Sequence, residues 1–598
     1  MARPPQKPLS ALFRTARGEE SLPLGYWAAV LFLLAIVTLV VLGPSADNGF
    51  VLDDAVVVVE NPMIRPPVSL KAIFTTDYTS PVMGRGGSYR PLATLSFAAN
   101  YRFSELNPRG YHLTNIALHW LNSFLVFALA WLLTRRLGIS LAVALLFALH
   151  PVHAGAINPA EGRTELLAFL GVNLALVAYL RSLSGKAWLW LPIASLCFFL
   201  ALISKEHALT LVGLVVCYDF VMRRGGWEAG RTLASRAAHY LFLLPPLILF
   251  FMLRYLALGQ FLPDTKILPF DNPLVQLALL PRLISSAWIA LRYLGLLVFP
   301  YPLRQDYSSV GIFSETTPAG LGLLALFLGL VAGAVWISRK HPAILFGWLF
   351  YLATYLFVSN LPFVLGTIMA ERLLYLPSEG FLLFAVPLAS QACERLSAGK
   401  RARLLQVVLT LLAGLGAGVI LLDRNRDFKD ELTLFTREVK TSPESARAWF
   451  YYGGALEHRS RYEEAERAML KALELRPEYS EPYLTLGTIA VRRGDYARGE
   501  DCLKKAISFG PLNAKAYANL GTLYAMTRNY EEALKQFKTA LGIRPQLVDV
   551  QLNLAQCYLD LGRPQDAEGI VLQVLKRHPE LARAQSLYAR LQQLKKAG

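Results

Sequence analysis

Long, uninterrupted apolar runs dominate the first 422 residues of this 598-residue chain. One of them reads AAVLFLLAIVTLVVLG, and hydrophobic residues make up 54% of the sequence. Runs of this length match the thickness of a bilayer core, whereas a periodic apolar stripe would indicate a helix lying on a soluble core. The sequence therefore excludes an ordinary soluble enzyme and predicts an all-α, polytopic membrane domain over residues 26–423.

Twelve apolar segments are candidate membrane spans. They are 26–43, 111–134, 139–156, 163–182, 187–203, 206–222, 237–258, 275–299, 318–338, 342–359, 372–391 and 403–422. The first follows a basic stretch and has no clear small-residue cleavage site, so it reads as an uncleaved signal anchor. Residues 1–25 are then a cytoplasmic tail.

Segment 275–299 decides the predicted topology because it carries two arginines and a proline. If it crossed the bilayer fully, Arg339 and the basic cluster 400–403 would lie outside the cytoplasm, against the positive-inside rule. We therefore predict that it makes no net crossing, which leaves about eleven spans. The first external loop, 44–110, and the whole C-terminal domain are then extracytoplasmic.

Prolines recur at intervals of 34 residues in the C-terminal part of the chain, which is the period of the tetratricopeptide repeat (TPR). They are Pro443, Pro477, Pro511, Pro545 and Pro579. The period predicts an α-solenoid of four repeats over 446–579, a capping helix over 580–598, and a linker or degenerate repeat over 424–445. Such an array offers a concave surface for an extended peptide, and the alternative is a spacer without a ligand.

The net charge of +17 does not indicate nucleic-acid binding, because no basic patch is interleaved with stacking aromatic residues. Many of the basic residues instead lie in short loops between apolar segments. The five cysteines are scattered and form no disulfide framework or zinc spacing.

Asp53 and Asp54 follow the first apolar segment directly, in the motif FVLDDAVVVVENP. Adjacent carboxylates at a membrane surface suit a general base, because mutual repulsion and partial desolvation raise a carboxyl pKa. The alternative for any such pair is a solvated loop or a helix cap.

Further motifs follow in order along nearly the whole chain. They are YRPLATLSFAANYRF (89–103), GYHLTNIALHWLNS (110–123), FALHPVHAGAINPAEGRTELLAFL (147–170), SKEHALTLVGLVVCYD (204–219) and AERLLYLPSEGF (370–381). Together with the aspartate pair and the TPRs, they closely resemble the transmembrane and TPR repeat-containing protein O-mannosyltransferases. The resemblance implies a GT-C membrane fold and an inverting transferase. Its substrates would be a polyprenyl-phosphate sugar and Ser/Thr hydroxyls of proteins.

The resemblance also suggests roles for individual residues. Asp53 and Asp54 would be the catalytic carboxylates, with the assignment of the base left open between them. Independently of the resemblance, a lipid-linked phosphate needs a cation at the membrane surface, and the candidates are Arg372, Lys205, Arg90 and Arg292. The alternatives are a structural Lys-Glu pair at Lys205 and arginines at 90 and 292 that snorkel to the membrane interface. Other polar residues would line the same cavity, namely His150, His153, Glu161, Arg163, Glu206, His207, Glu371 and Tyr375.

A metal site is not predicted from these residues. His150 and His153 with Glu161 offer suitable ligand atoms, but Pro151 breaks the helix that would have to align them. We therefore expect no metal and no cofactor, with the lipid-linked sugar as the donor substrate.

The chain contains no N-x-S/T triplet, which favours a bacterial inner-membrane protein over a glycosylated secretory-pathway protein. An undecaprenyl-type carrier would then be implied, and mannose would be one of several possible sugars. Two other functions compete with the transferase. One is a non-catalytic membrane TPR scaffold for assembly of envelope polysaccharide, and the other is a transporter of lipid-linked sugar.

Overall fold

The computed structural model describes residues 22–79, 82, 87–224, 239–261, 267, 271–397 and 399–597. The chain divides into two compact units, Met1–Leu434 and Phe435–Gly598. Within the described ranges, both units consist of helices joined by loops, which confirms the predicted all-α class. Most of the predicted cytoplasmic tail, 1–25, lies outside the described residues.

The helices of the first unit mostly follow the predicted apolar segments, whereas two of those described lie within the predicted loop 44–110. They are α1 (Leu24–Leu42), α2 (Leu70–Thr75), α3 (Pro91–Ser104), α4 (Pro108–Thr134), α5 (Leu137–Leu149), α6 (Ala154–Ile157), α7 (Arg163–Leu183), α8 (Ala187–Leu202), α9 (Thr210–Arg224), α10 (Leu244–Leu258), α11 (Leu279–Val298), α12 (Pro318–Ser338), α13 (Pro342–Val358), α14 (Tyr375–Leu396) and α15 (Gly399–Asp427). Helix α16 (Glu431–Thr441) crosses the boundary between the two units.

Seven helical segments in the described part of the chain are long and apolar enough to cross a membrane. They are Leu24–Asp47, Pro108–Thr134, Ala160–Leu183, Leu241–Leu258, Pro318–Ser338, Glu371–Leu396 and Gly399–Asp427. The pair Leu137–Leu149 and Pro151–Ile157 is an eighth candidate, bent by 47°. Several spans are thus available, as in a multi-pass membrane protein, while the number eleven remains a prediction.

Two of the predicted apolar segments that are not among these seven bear on the topology. Segment 139–156 is not one straight span, because α5 ends at Leu149 and Pro151 starts a short 3-10 turn. Proline has no amide hydrogen and cannot continue the α-helical bonding. Segment 275–299, predicted to make no net crossing, forms the continuous helix α11 and is not among the seven.

Helix α4 organises the interior of the first unit and packs against α1, α5 and α7. Its buried face carries His112, Asn115, His119 and Asn122, spaced three or four residues apart. These side chains bond neighbouring helices, as when His119 contacts the Tyr375 hydroxyl at 2.8 Å. Polar side chains of this kind hold helices together where water is excluded.

The second unit is a series of antiparallel helix pairs at the predicted period. After the start of the unit come α17 (Ala446–His458), α18 (Tyr462–Leu475), α19 (Ser480–Arg492), α20 (Tyr496–Phe509), α21 (Ala514–Met526), α22 (Tyr530–Ile543), α23 (Val548–Asp560), α24 (Pro564–Arg577) and α25 (Ala582–Ala597). Consecutive helices pack against each other. Glycine permits the closest approaches, since a Cβ on Gly521 would lie 2.7 Å from the Phe537 ring.

Candidate active site

The two adjacent aspartates occupy different environments. Asp53 is exposed, whereas Asp54 is fully buried. The carboxylate of Asp54 accepts the amide hydrogens of Glu161 at 2.8 Å and of Val51 at 3.1 Å. Burial raises the pKa of Asp54 to about 7, even though these amide hydrogen bonds act to lower it. Asp53 is therefore the carboxylate that can meet a substrate from solvent, and Asp54 holds the turn.

Glu161 joins the aspartate turn to the start of the α7 segment. Its backbone amide bonds Asp54, and its carboxylate pairs with Arg90 at 3.0 Å. Arg90 also lies 3.7 Å from the carboxylate of Glu206. Burial acts to lower the pKa of Arg90, but Glu206 and Glu161 outweigh it and raise that pKa. The Arg90 charge is thus already balanced by two acids of the protein.

Glu206 has a second cationic partner that the sequence did not single out. Arg254 on α10 is 2% exposed and lies 3.2 Å from the Glu206 carboxylate. Its remaining donors bond the carbonyl oxygens of Gly87 at 2.9 Å and Phe261 at 3.0 Å. Arg254 therefore ties the backbone at Gly87 to α10 and has few donors left for a ligand.

Lys205 and His207 converge on Glu165, which lies in the first turn of α7. The Lys205 amine bonds one carboxylate oxygen of Glu165, and the His207 ring lies 3.5 Å from the other. All three side chains are nearly buried. The pairing leaves Lys205 largely neutralised by the protein, so it is a weaker candidate for binding a phosphate than its sequence position suggested.

Arg372 stands apart from these cations. Its side chain is partly exposed, and in the part of the chain that the structure describes its guanidinium makes no hydrogen bond or close ion pair. It interacts electrostatically with Glu165 and Tyr293. A guanidinium with unused donors, within electrostatic range of the Glu165 that pairs with Lys205, is suited to a bidentate grip on phosphate.

The residues before Arg372 fix its backbone. Tyr293 on α11 donates its hydroxyl to the carbonyl of Ala370 at 3.2 Å and accepts the Ala370 amide hydrogen at 2.8 Å. Glu371 is buried and accepts the hydroxyl of Tyr307 at 2.7 Å. Helix α11 thus contributes Tyr293 to the site. Its neighbour Arg292 stacks on Trp288 at 5.4 Å instead.

Tyr78 is an aromatic residue of the 44–110 stretch that the sequence motifs did not indicate. It is 3% exposed, and its hydroxyl has no hydrogen-bond partner among the described residues. Burial, followed by the charges of Glu161 and both aspartates, raises the pKa of Tyr78 well above its ordinary value, against the opposing effect of Arg90. Tyr78 therefore lies within electrostatic range of the carboxylates of the candidate active site.

His150, His153 and Tyr375 lie in a buried cluster of aromatic and polar side chains. The His150 ring contacts the Leu297 carbonyl at 3.1 Å, and the His153 ring contacts the Ser378 hydroxyl at 2.9 Å. The Tyr375 ring lies 4.7 Å from that of His153. No group of three metal-ligating side chains occurs among the residues with described positions. These contacts indicate that the three side chains have a structural role in packing the interior of the unit.

Arg163 is enclosed by the protein. Its guanidinium donates to the Asn115 side chain at 3.0 Å and the Tyr111 carbonyl at 2.9 Å, and it also bonds Asn100. The ring of Phe97 covers it at 4.8 Å. Arg163 thereby fastens α3, α4 and α7 together, and the predicted cavity-lining role does not match its complete enclosure.

Six of the fourteen sequence-predicted residues nevertheless form one series of neighbours. It runs from Asp54 through Glu161, Arg90 and Glu206 to the neighbouring Lys205, and from Lys205 through Glu165 towards Arg372. Sequence reasoning missed Glu165, although it lies within a quoted motif, four residues after Glu161. That helical spacing was the available signal.

Family models and known proteins match parts of this chain. Tetratricopeptide-repeat family models match residues 417–480, 484–548 and 524–591. Protein O-mannosyl-transferase TMTC3 of Mus musculus is 28% identical, over 71% of this chain and 48% of its own length. Protein O-mannosyl-transferase F38B6.6 of Caenorhabditis elegans is 29% identical, over 72% and 60%. The human TMTC1 protein is 29% identical, over 75% and 55%.

This chain therefore spans about half of the length of the curated relatives that it matches. The matches cover more than the TPR segment, because they extend over about seven tenths of the chain. They confirm the resemblance to the transmembrane and TPR repeat-containing protein O-mannosyltransferases that the sequence motifs indicate.

Proposed function

We propose that this protein transfers a sugar, mannose or another hexose, from a polyprenyl-phosphate donor to Ser/Thr hydroxyls of extracytoplasmic proteins. The relatives are named protein O-mannosyl-transferases, which supports the reaction class. One observation in the site carries the proposal. An exposed carboxylate, Asp53, is adjacent in sequence to Asp54, the first residue of the series of contacts that leads towards Arg372. Arg372 is a cation whose donors the described part of the protein leaves unused.

Asp53 is the proposed general base. It accepts the proton of the acceptor hydroxyl as the hydroxyl oxygen forms a bond to the anomeric carbon of the sugar. The bond from that carbon to the phosphate oxygen breaks on the opposite face, which inverts the configuration. The electron pair leaves with the polyprenyl phosphate. Asp54 orients the turn through its two amide hydrogen bonds and does not meet the substrate.

Arg372 is the proposed clamp for the departing phosphate. Its free donors can bind two phosphate oxygens, and their grip strengthens as negative charge develops on the leaving group. The ammonium group of Lys205, which pairs with Glu165, is proposed to add to the stabilisation of this negative charge. Arg90 and Arg292 take positioning roles in this proposal, because Arg90 is engaged by acids and Arg292 lies against Trp288. The scheme uses no cofactor or metal.

The N-terminus is proposed to be cytoplasmic, with the site and the TPR unit outside the cytoplasm, in a bacterial inner membrane. The TPR unit would hold the protein acceptor in its concave surface, as helical repeat arrays commonly do. This arrangement brings acceptor hydroxyls to the side of the membrane that carries Asp53.

The experiment is transfer of radiolabelled sugar from defined polyprenyl-phosphate sugars, with undecaprenyl and dolichyl carriers in parallel, to a periplasmic protein extract. Purified full-length protein is compared with Asp53→Asn and with Glu60→Gln, an exposed acid in the same loop. We expect labelled protein with wild type and with Glu60→Gln, and none with Asp53→Asn. Folded wild-type protein that transfers nothing from any donor would favour the scaffold function instead.

A further inference from the structure

The end of the last membrane helix and the residues directly after it reach back to the turn that carries the aspartate pair. This segment, residues 424–431, lies within the first compact unit. The amide of Gly49 donates to the Lys429 carbonyl at 2.9 Å, and the amide of Leu52 donates to the Glu431 carboxylate at 3.2 Å. The partners in the second bond lie 379 residues apart along the chain.

A buried asparagine cluster fixes the start of this segment. Asn425 donates its side-chain amide to the Val41 carbonyl at 3.2 Å, and its side-chain oxygen accepts the amide of Asn158 at 2.8 Å. The side chain of Asn48 donates to the Asn425 carbonyl at 3.1 Å. The end of α15 is thereby joined to the end of α1 and to the stretch of chain that precedes Glu161.

Leu52 has an unusual backbone conformation directly before the aspartate pair. Its φ is +58°, the left-handed region that a leucine rarely adopts. Such a conformation persists only where its surroundings hold it, and it commonly occurs at functional sites. Here the Glu431 carboxylate binds the Leu52 amide, while the Asp54 amide donates to the Val51 carbonyl at 3.2 Å. Glu431 is therefore a long-range contact that holds the turn.

The same segment also approaches the proposed phosphate side of the site. The Arg424 guanidinium lies 3.9 Å from the carboxylate of Glu371, next to Arg372. Both side chains are nearly buried. One short segment thus contacts the turn that presents Asp53 and the residue that precedes the phosphate clamp.

We propose that Glu431 is a positioning residue for the transfer reaction, acting by holding Leu52 in the conformation that presents Asp53 to the acceptor. The inference rests on the proposed function for its catalytic consequence, but the contact itself can be tested without activity. Because the contact is a hydrogen bond from a backbone amide, the reach of the acceptor oxygen decides whether it forms, and the carboxylate charge only strengthens it.

Two conservative variants separate reach from charge. Glu431→Gln keeps an acceptor oxygen at the same distance and removes the charge, whereas Glu431→Asp keeps the charge and withdraws the oxygen by one methylene. Amide hydrogen exchange of a peptide covering residues 49–55 reports the contact in the full-length protein. We expect exchange to rise about tenfold in Glu431→Asp and to stay near wild type in Glu431→Gln.

Transfer kinetics give the second measurement on the same proteins. We expect kcat to fall about tenfold or more in Glu431→Asp with the KM for the lipid-linked donor unchanged, and Glu431→Gln to retain wild-type kcat within about twofold. Glu478→Asp, an exposed acid in the repeat unit, is the control.

The outcomes are distinguishable. Wild-type exchange and kcat in Glu431→Asp, or a larger loss in Glu431→Gln than in Glu431→Asp, would overturn the positioning role. Absence of transfer by folded wild-type protein would instead reject the proposed function. The exchange measurement would still decide whether Glu431 holds the turn.

Discussion

The two units of this chain use charged side chains in opposite ways. In the repeat unit, Arg493 pairs with Glu463 and Glu466 on a solvent-exposed surface. In the membrane unit, Glu165 and Lys205 are almost wholly buried, and so is Arg163. Exposed pairs contribute little to stability, whereas an unmatched buried charge is costly. Substitutions in the membrane unit should therefore have large, specific effects, and those on the repeat surface small ones.

The largest expected effect is on catalysis, from Arg372→Gln. Removal of the proposed phosphate clamp should lower kcat/KM for sugar transfer by about 10²- to 10³-fold, because its hydrogen bonds strengthen as charge develops on the phosphate. The matched control is Arg493→Gln, which removes an equally charged residue from the repeat unit. Steady-state transfer assays on both proteins check this. Equal losses in the two variants would contradict the contrast between the units.

The next effect is on stability, from Arg163→Met. The variant leaves the side-chain oxygen of Asn115 and the carbonyl of Tyr111 without their buried donors. We expect a loss of about 2–4 kcal/mol of unfolding free energy, measured by denaturant titration in detergent micelles. Arg493→Met, which disrupts exposed pairs only, should change it by less than about 1 kcal/mol. A small effect in Arg163→Met would mean that its enclosure is not important for stability.

Asp54 makes stability depend on pH, with a predictable sign. A solvated aspartate carboxyl has an ordinary pKa of 3.8, and burial raises the pKa of Asp54 to about 7 in the folded protein. The folded state therefore holds the proton more tightly. This contribution is fully present below about pH 4 and is lost as pH rises through 7, on the order of a few kcal/mol in all.

The measurement for Asp54 is the thermal midpoint between about pH 4.5 and pH 8, the range that spans both pKa values. Wild type should lose more stability over this range than Asp54→Asn, which cannot titrate. Asp53→Asn is the control because Asp53 is exposed. Parallel pH profiles of wild type and Asp54→Asn would show that the Asp54 carboxyl is solvated in the folded protein.

The smallest expected effect lies in the packing of the repeat unit. Gly521→Ala places a methyl group 2.7 Å from the ring of Phe537 and should cost about 1–3 kcal/mol. Gly454→Ala is the control, since a Cβ there meets nothing within 4 Å. It should be neutral or slightly stabilising, because alanine favours a helix more than glycine does. Thermal unfolding followed by circular dichroism checks both. Similar behaviour of the two variants would contradict the close packing at Gly521.

The same contrast explains what the sequence could predict. The repeat unit was predictable because each helix contacts neighbours that are close in sequence. The same packing therefore requires the same residue types at a fixed period, such as the prolines and the glycine at Gly521. In the membrane unit, composition indicated helices and approximate bounds, but Pro151 bends a segment that hydropathy alone makes continuous. A hydropathy profile gives the length and apolar character of a segment. It does not show where the backbone changes direction.

Within the site, residue type was easier to predict than role. Asp53 and Asp54 are adjacent and chemically identical, yet one is exposed and the other is held by the amide of Glu161. Arg90 and Arg372 were both predicted to bind the donor phosphate, and of these two only Arg90 is paired with acids among the described residues. These differences arise from partners far away in sequence, which no local spacing reveals.

The most direct test of the proposed chemistry is a single-turnover experiment. Protein loaded with radiolabelled polyprenyl-phosphate mannose is mixed with excess acceptor protein, and the first turnover is followed by rapid quenching. We predict a fast transfer phase in wild type that is absent in Asp53→Asn, although this variant binds the same amount of donor. A transfer phase of wild-type rate in Asp53→Asn would contradict the assignment of Asp53 as the base.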